Sequence, residues 1–157
     1  MPRTIQLPGI TQPQPLTGPI YEGSNFTWAE ATKYGQRIPR NTNFEGMTIS
    51  GAQITANIIK LAKELDRLRS EFGNRPITIT SWYRDPISNK SVGGVRNSQH
   101  ILGWGADIQI WGLDPDDVAD RIAKSWRGGL GDNPAYTHLD LRHLMGWQAA
   151  RWNYGLA

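Results

Sequence analysis

His100 and Asp107 stand seven residues apart in Ser98-Gln99-His100-Ile101-Leu102-Gly103-Trp104-Gly105-Ala106-Asp107, and His138 follows thirty-one residues later in Tyr136-Thr137-His138-Leu139-Asp140. Two imidazoles and one carboxylate are the donor set of a zinc ion that keeps its fourth tetrahedral position for water or substrate. An ion held that way polarises a carbonyl and lowers the pKa of its water from about 15.7 toward about 7, so hydrolysis is the expected chemistry. A His beside an Asp is more commonly a plain hydrogen-bonded pair, and the surrounding pattern has to decide between the two.

The elements that must position these residues are legible. Residues 106–111 alternate like a strand, and Leu102-Gly103-Trp104-Gly105 reads as a loop that His100 would face Asp107 across. A second alternating segment, 136–141, puts His138 and Asp140 on one face of their strand, which brings Asp140 near any metal that His138 binds. Thr27-Trp28-Ala29-Glu30 is a capping box that opens a short helix ending near Gly35. Ser50-Gly51-Ala52-Gln53 repeats the signal before the strongest helical stretch, where Ile54, Ile58, Leu61, Leu65, Leu68 and Phe72 recur at spacings of three and four. Gly73 and Pro76 end that helix, and 76–82 reads as a half-buried strand leading to Arg84. Asp114-Pro115-Asp116-Asp117 starts a third helix that stops before Gly128-Gly129. This order predicts an α+β fold in which a small antiparallel sheet carries the metal, flanked by helices.

The wider motif resembles the zinc D-alanyl-D-alanine carboxypeptidases and related peptidoglycan peptidases. That group includes phage endolysins and shares its fold with the hedgehog signalling domain. Ser98, His100, Gly103 and Asp107 with the late His138 carry the resemblance, and Ser81-Trp82-Tyr83-Arg84, Asn89, Val92-Gly93-Gly94 and Arg151-Trp152-Asn153-Tyr154-Gly155 extend it over about 25–155. With Ser98, Gly103, Ala106 and His138 all in register, the pattern assigns one Zn2+ to His100, Asp107 and His138. Gly105 departs from the family, standing where it usually has Ala. The base position departs as well. Relatives with an acid three residues before the last His, or a His two before it, are matched here by Ala135 and Tyr136, whereas others carry His-x-Asp, as His138-Leu139-Asp140 does.

The resemblance implies that Arg84 holds the substrate. A guanidinium fits a carboxylate as a bidentate fork and stabilises charge growing on an attacked oxygen. Asp140 has two open readings: the general base for the zinc water, or a carboxylate that orients a ligating His. Ser98 either shapes the turn before His100 or touches substrate. Gln99, Asn89 and Asn97 read more simply as turn residues. Trp104, set among glycines beside the ligands, is expected as a wall of the cleft, while most of the seven tryptophans, Trp82 with Tyr83 among them, belong to the core. His143 and Asp132 are lesser candidates for the base. Gly93-Gly94 lacks the Lys-Ser/Thr of a phosphate loop and reads as a flexible rim.

Composition bounds the rest. A chain of 157 residues is most simply one domain and can bury close to 70% of its unfolded surface, by rough scaling. The absence of cysteine excludes disulfides and thiolate ligands. A formal charge of +3 suits an anionic surface such as a cell wall; Lys and Arg are scattered rather than striped, which argues against nucleic acid as a partner. Residues 1–24, with five prolines, read as an extended arm or linker, and 25–157 as the catalytic domain. The amino terminus has no signal-peptide pattern, and no run approaches the roughly 18 apolar residues of a membrane span. The expectation is a monomeric zinc peptidase acting on peptidoglycan stem peptides at the bacterial cell wall, with D-Ala-D-Ala carboxypeptidase action favoured over endopeptidase action. The alternative from another class is a zinc-stabilised binding domain without turnover.

Overall fold

A computed structural model describes residues 3–153. Tyr154 and Gly155 of the family-like closing segment lie outside the described residues. In chain order the elements are β1 (Thr4–Ile5), β2 (Gln14–Pro15), α1 (Trp28–Thr32), β3 (Thr42–Phe44), β4 (Met47–Ile49), α2 (Gly51–Glu71), β5 (Ile77–Ser81), α3 (Pro86–Ser91), β6 (Gly105–Ile110), α4 (Pro115–Ala123), β7 (Gly129–Asp132), β8 (Thr137–Asp140) and β9 (Ala150–Asn153). Single 3-10 turns lie at Gln99–Leu102 and Arg142–Met145. The fold is α+β. Its main sheet has the order β5-β6-β8-β7-β9, antiparallel except that β9 pairs parallel to β7.

The long helix forms where the apolar spacing predicts it. Ser50 accepts the Gln53 N–H at its N-terminus, and Ile54, Ile58, Leu61 and Leu65 are fully buried. Gln53 does not complete a capping box; its amide turns along the helix to Asn57. Asn57 in turn donates to the Leu102 carbonyl at 2.9 Å, which ties the turn carrying His100 to α2. Gly103 follows with φ at +81°, and a Cβ there would lie 2.9 Å from the Ile54 carbonyl and 3.0 Å from Ile58 Cγ1. Both the left-handed backbone and the close approach to α2 therefore require glycine.

Helix α3 and strands β1 to β4, β7 and β9 are absent from the sequence expectation. Helix α3 opens on Asp85-Pro86, with Asp85 accepting the Ser88 N–H at 2.8 Å and proline at the first position. These are the features that identified α4, where Asp114 occupies the cap position but makes no side-chain cap bond. The β3–β4 hairpin turns on Glu45 and Gly46, both at positive φ. Among the described residues no helix is long and apolar enough to cross a membrane.

Within the proline-rich segment β1 and β2 pair antiparallel, so the chain folds back on itself, and its apolar residues belong to the core. Ile5, Leu7, Leu16 and Ile20 are buried in the cluster that includes Trp28, Leu61, Trp82, Ile108 and Leu139. A polar clamp holds the end of the segment to α2. The Asp66 carboxylate accepts from Tyr21 Oη at 2.6 Å, Ser24 Oγ at 2.7 Å, Asn25 N at 3.0 Å and Asn25 Nδ2 at 2.9 Å. Burial alone would raise the Asp66 pKa, but the bonds from Tyr21, Ser24 and Asn25 outweigh it and hold the carboxyl below its ordinary range. A depressed carboxyl stabilises the fold fully above its unfolded pKa of about 4, and the contribution disappears as pH falls below that value. Asp66→Ala should cost about 1–2 kcal/mol at pH 7, the low end for charged bonds because the site is partly exposed. In thermal melts at a series of pH values, the gap between wild type and variant should narrow below about pH 4.

Candidate metal centre

Strand register brings the three predicted ligands together. Asp107 of β6 lies directly opposite His138 of β8, in the interior of the sheet. His100 reaches the same point from the 3-10 turn that precedes β6. His138 Nδ1 is 2.9 Å and His100 Nε2 3.2 Å from the same oxygen, Asp107 Oδ1. One ligand atom from each residue lies within 4.8 Å of the others, and all three residues are buried. Zinc bonds of about 2.0–2.2 Å in a tetrahedron place ligand atoms roughly 3.3 Å apart, so this donor set fits a single zinc.

Each imidazole is fixed from behind. His100 Nδ1 lies 2.6 Å from the Trp82 carbonyl, an acceptor only, so Nδ1 carries the proton and Nε2 faces the site. The backbone helps: Arg84 N–H donates to the His100 carbonyl at 3.1 Å. Burial lowers the His100 pKa, which favours the neutral form that ligates. His138 Nε2 lies 2.8 Å from Asp140 Oδ2, leaving Nδ1 for the site. For Asp107, burial would raise the pKa, but the close contacts with His100 and His138 outweigh it, and the carboxyl lies well below the ordinary carboxylate range.

Of the two readings for Asp140, the geometry matches the orienting one. Its side chain is fully buried, with Oδ1 accepting from Gly129 N, Arg142 N and Arg142 Nε at 2.9, 3.1 and 2.9 Å. Oδ2 accepts from Arg142 Nη2 and faces the far side of His138, each at 2.8 Å. Burial would raise its pKa, but His138 and Arg142 hold it well below the ordinary range. Gly129 is needed beside it, because a Cβ there would approach Asp140 Oδ2 to 2.4 Å.

A cleft of about 440 Å³ opens over the three ligands. Arg84 lines it, 14% exposed, with Nη2 3.4 Å from Asp107 Oδ2, Nε on Ser81 Oγ at 3.0 Å and Nη1 on Asn89 Oδ1 at 3.3 Å. Asn89 also donates to the Val95 carbonyl at 2.8 Å, and a Cβ on Gly94 would lie 2.1 Å from Asn89 Oδ1. Asn89 and the second glycine are thus one device that seats Arg84 and folds the cleft rim. Ser98 lines the cleft and caps the turn, its Oγ accepting the His100 N–H at 3.2 Å. Trp104 is not a cleft wall: it is 6% exposed, in the core, and its Nε1 donates to Gln99 Oε1 at 2.5 Å. His143 and Asp132 are not among the lining residues.

The lining adds Tyr136, Arg142 and Trp152. Burial, and then the Asp107 charge, raise the Tyr136 pKa, so its hydroxyl keeps its proton. The Trp152 ring lies 5.2 Å from that of His138, and the Arg142 guanidinium sits 5.0 Å from the Trp152 ring. Arg142 had a readable signal, since period-two alternation continues from 138 and 140 to 142. The parallel pairing that brings Trp152 across from Gly131 had none.

The sequence profile of the peptidase M15 family matches residues 36–140. The zinc D-Ala-D-Ala carboxypeptidase of Streptomyces albus G is 33% identical over 132 residues, 82% of this chain and 48% of that protein. The chain belongs to the peptidase M15 family, and it spans about half the length of this curated relative.

Elemental analysis should find one zinc per chain in the wild type and almost none in His100→Ala or Asp107→Ala. Asp140→Asn keeps the three donors and loses the charge behind His138. Its zinc affinity, read by competition with a chromogenic chelator, should fall about 10–100-fold without loss of the fold.

Proposed function

We propose that this chain is a zinc peptidase that hydrolyses an amide bond in peptidoglycan stem peptides, with D-Ala-D-Ala carboxypeptidase action preferred over endopeptidase action. The observation that carries the reading is the His100, Asp107 and His138 cluster at the floor of an open cleft, with Arg84 held over Asp107. Bound zinc would polarise the scissile carbonyl and activate a water. His100, Asp107 and His138 would hold the ion, and Trp82 and Asp140 would keep each imidazole turned toward it. Arg84, pre-set by Ser81, Asn89 and Asp107, would take the substrate's terminal carboxylate or the oxygen on which charge develops. Tyr136, a protonated O–H in the same lining, suits donation to that oxygen. Asp140 would act as a positioning residue, since it does not line the cleft and both its oxygens are engaged by Gly129, Arg142 and His138. The peptide partner and the action at the bacterial cell wall belong to this same reading.

One observation favours a second reading, a zinc-stabilised domain that binds such peptides without turnover. Asp107 is the sole carboxylate that lines the cleft among the described residues, so no separate acidic base stands ready for the water proton.

Incubating the zinc-loaded protein with defined muropeptides and analysing products by mass spectrometry separates these readings. Loss of a single D-Ala that a chelator abolishes is the expected result. Larger fragments would mark an endopeptidase, and intact muropeptides would leave the binding domain. Arg84→Lys should cut kcat/KM about 10²-fold or more with zinc content unchanged, because a point charge does not replace the fork. Tyr136→Phe should lower kcat roughly 10–100-fold with little change in KM.

A further inference from the structure

Strand β5 is the outer strand of the main sheet. Its pairing with β6 runs Ile77 to Ile110, Thr78 to Gln109 and Ile79 to Ile108, and Trp111 N–H donates to the Pro76 carbonyl at 3.0 Å. In an antiparallel ladder that bond makes Ile77 and Ile79 the non-bonded partners, with their N–H and C=O groups directed away from β6. No hydrogen bond to either backbone appears among the described residues outside the ladder. Two donors and two acceptors therefore face outward, roughly 6.6 Å apart along the strand.

What they face is a groove. A cavity of about 560 Å³ runs along all of β5, from Ile77 to Arg84, with α1 and the turn after it as the opposite wall. Arg84 and Val92 line both this groove and the catalytic cleft, so the two adjoin. The far wall contributes Lys33, Tyr34, Arg37 and Glu30. Glu30 is committed to the start of α1, where its Oε1 accepts from Thr27 N at 2.9 Å and Thr27 Oγ1 at 3.0 Å. Lys33 and Arg37 leave the wall cationic.

We propose that this groove is an extended-peptide subsite, in which residues of the substrate remote from the scissile bond add as a strand to the Ile77–Ile79 edge and set an acidic side chain against Lys33 and Arg37. Main-chain bonds to an exposed sheet edge are a general means of holding an extended peptide, with side-chain pockets adding selectivity. The proposal rests on the reading of the cleft as a peptide site. It adds that substrate length and a carboxylate upstream of the cleavage point govern binding, whereas a dipeptide would reach the cleft alone.

Ile79→Pro is the sharpest variant. It deletes an outward N–H and leaves the β6 ladder intact, a position where an edge strand accepts proline. Lys33→Glu is the second variant, at an exposed residue outside the core. With zinc-loaded, ¹⁵N-labelled full chain, the pentapeptide Ala-D-Glu-Lys-D-Ala-D-Ala should shift the Ile77 and Ile79 amide signals and slow their exchange; acetyl-D-Ala-D-Ala should move only signals near His100 and Tyr136. Each variant should weaken pentapeptide binding about tenfold and leave dipeptide binding unchanged. Pentapeptide binding that leaves the Ile77 and Ile79 amides unmoved, that is no tighter than dipeptide binding, or that is absent would overturn the subsite. Amide shifts without any hydrolysis would instead overturn the peptidase reading and leave the subsite standing.

Discussion

A single carboxylate oxygen, Asp107 Oδ1, organises this protein's interior. Two imidazoles from different parts of the chain converge on it, one from the turn after Ser98 and one from the neighbouring strand. Buried polar groups of this kind are tolerable only when each has a partner. The chain of contacts runs from the Trp82 carbonyl through His100, Asp107, His138 and Asp140 to Arg142, with a partner at each step. A network so satisfied fixes rotamers, and preset rotamers are what a metal needs of its ligands.

The scaffold meets that demand through backbone geometry. The antiparallel register of β6 and β8 puts Asp107 opposite His138, and a slip of one residue would send both side chains to the other face. The turn bearing His100 is pressed onto α2 at Gly103 and pinned by Asn57. The sheet is asymmetric in what it leaves open. On one side β7 and β9 continue it and bring Trp152 beside His138; on the other it stops at β5, whose end delivers Arg84 to the cleft. The cleft thus lies between the side where Trp152 stands beside His138 and the β5 edge.

His138 and Asp140 show why sharing a face does not mean sharing a site. Alternation correctly puts them together, but an imidazole has two nitrogens on opposite edges, and the one that meets Asp140 is not the one that meets Asp107. The depth of the side chain then separates the roles. Arg142 and the Gly129 amide saturate Asp140 within the protein, while Asp107 keeps Oδ2 toward Arg84 at the cleft. Trp104 follows the same logic: its glycine neighbours mark a tight passage under the cleft rather than a wall of it, and its indole bonds Gln99.

The amino-acid sequence by itself determined the ligand types and their spacing, the apolar stripe of α2, strands β5, β6 and β8, and the punctuation at Gly103 and Pro76. These are local matters of period, chirality and donor chemistry that a short window contains. Asp85-Pro86 carried the same local signal as Asp114-Pro115, and α3 was readable from it. The tertiary structure alone decided which nitrogen of His138 faces the metal position, that Asp140 is sealed behind it, that the proline-rich segment joins the core, and that β9 brings Trp152 to the cleft. Each of those depends on contacts between residues far apart in the chain, where register, depth and rotamer are set by packing.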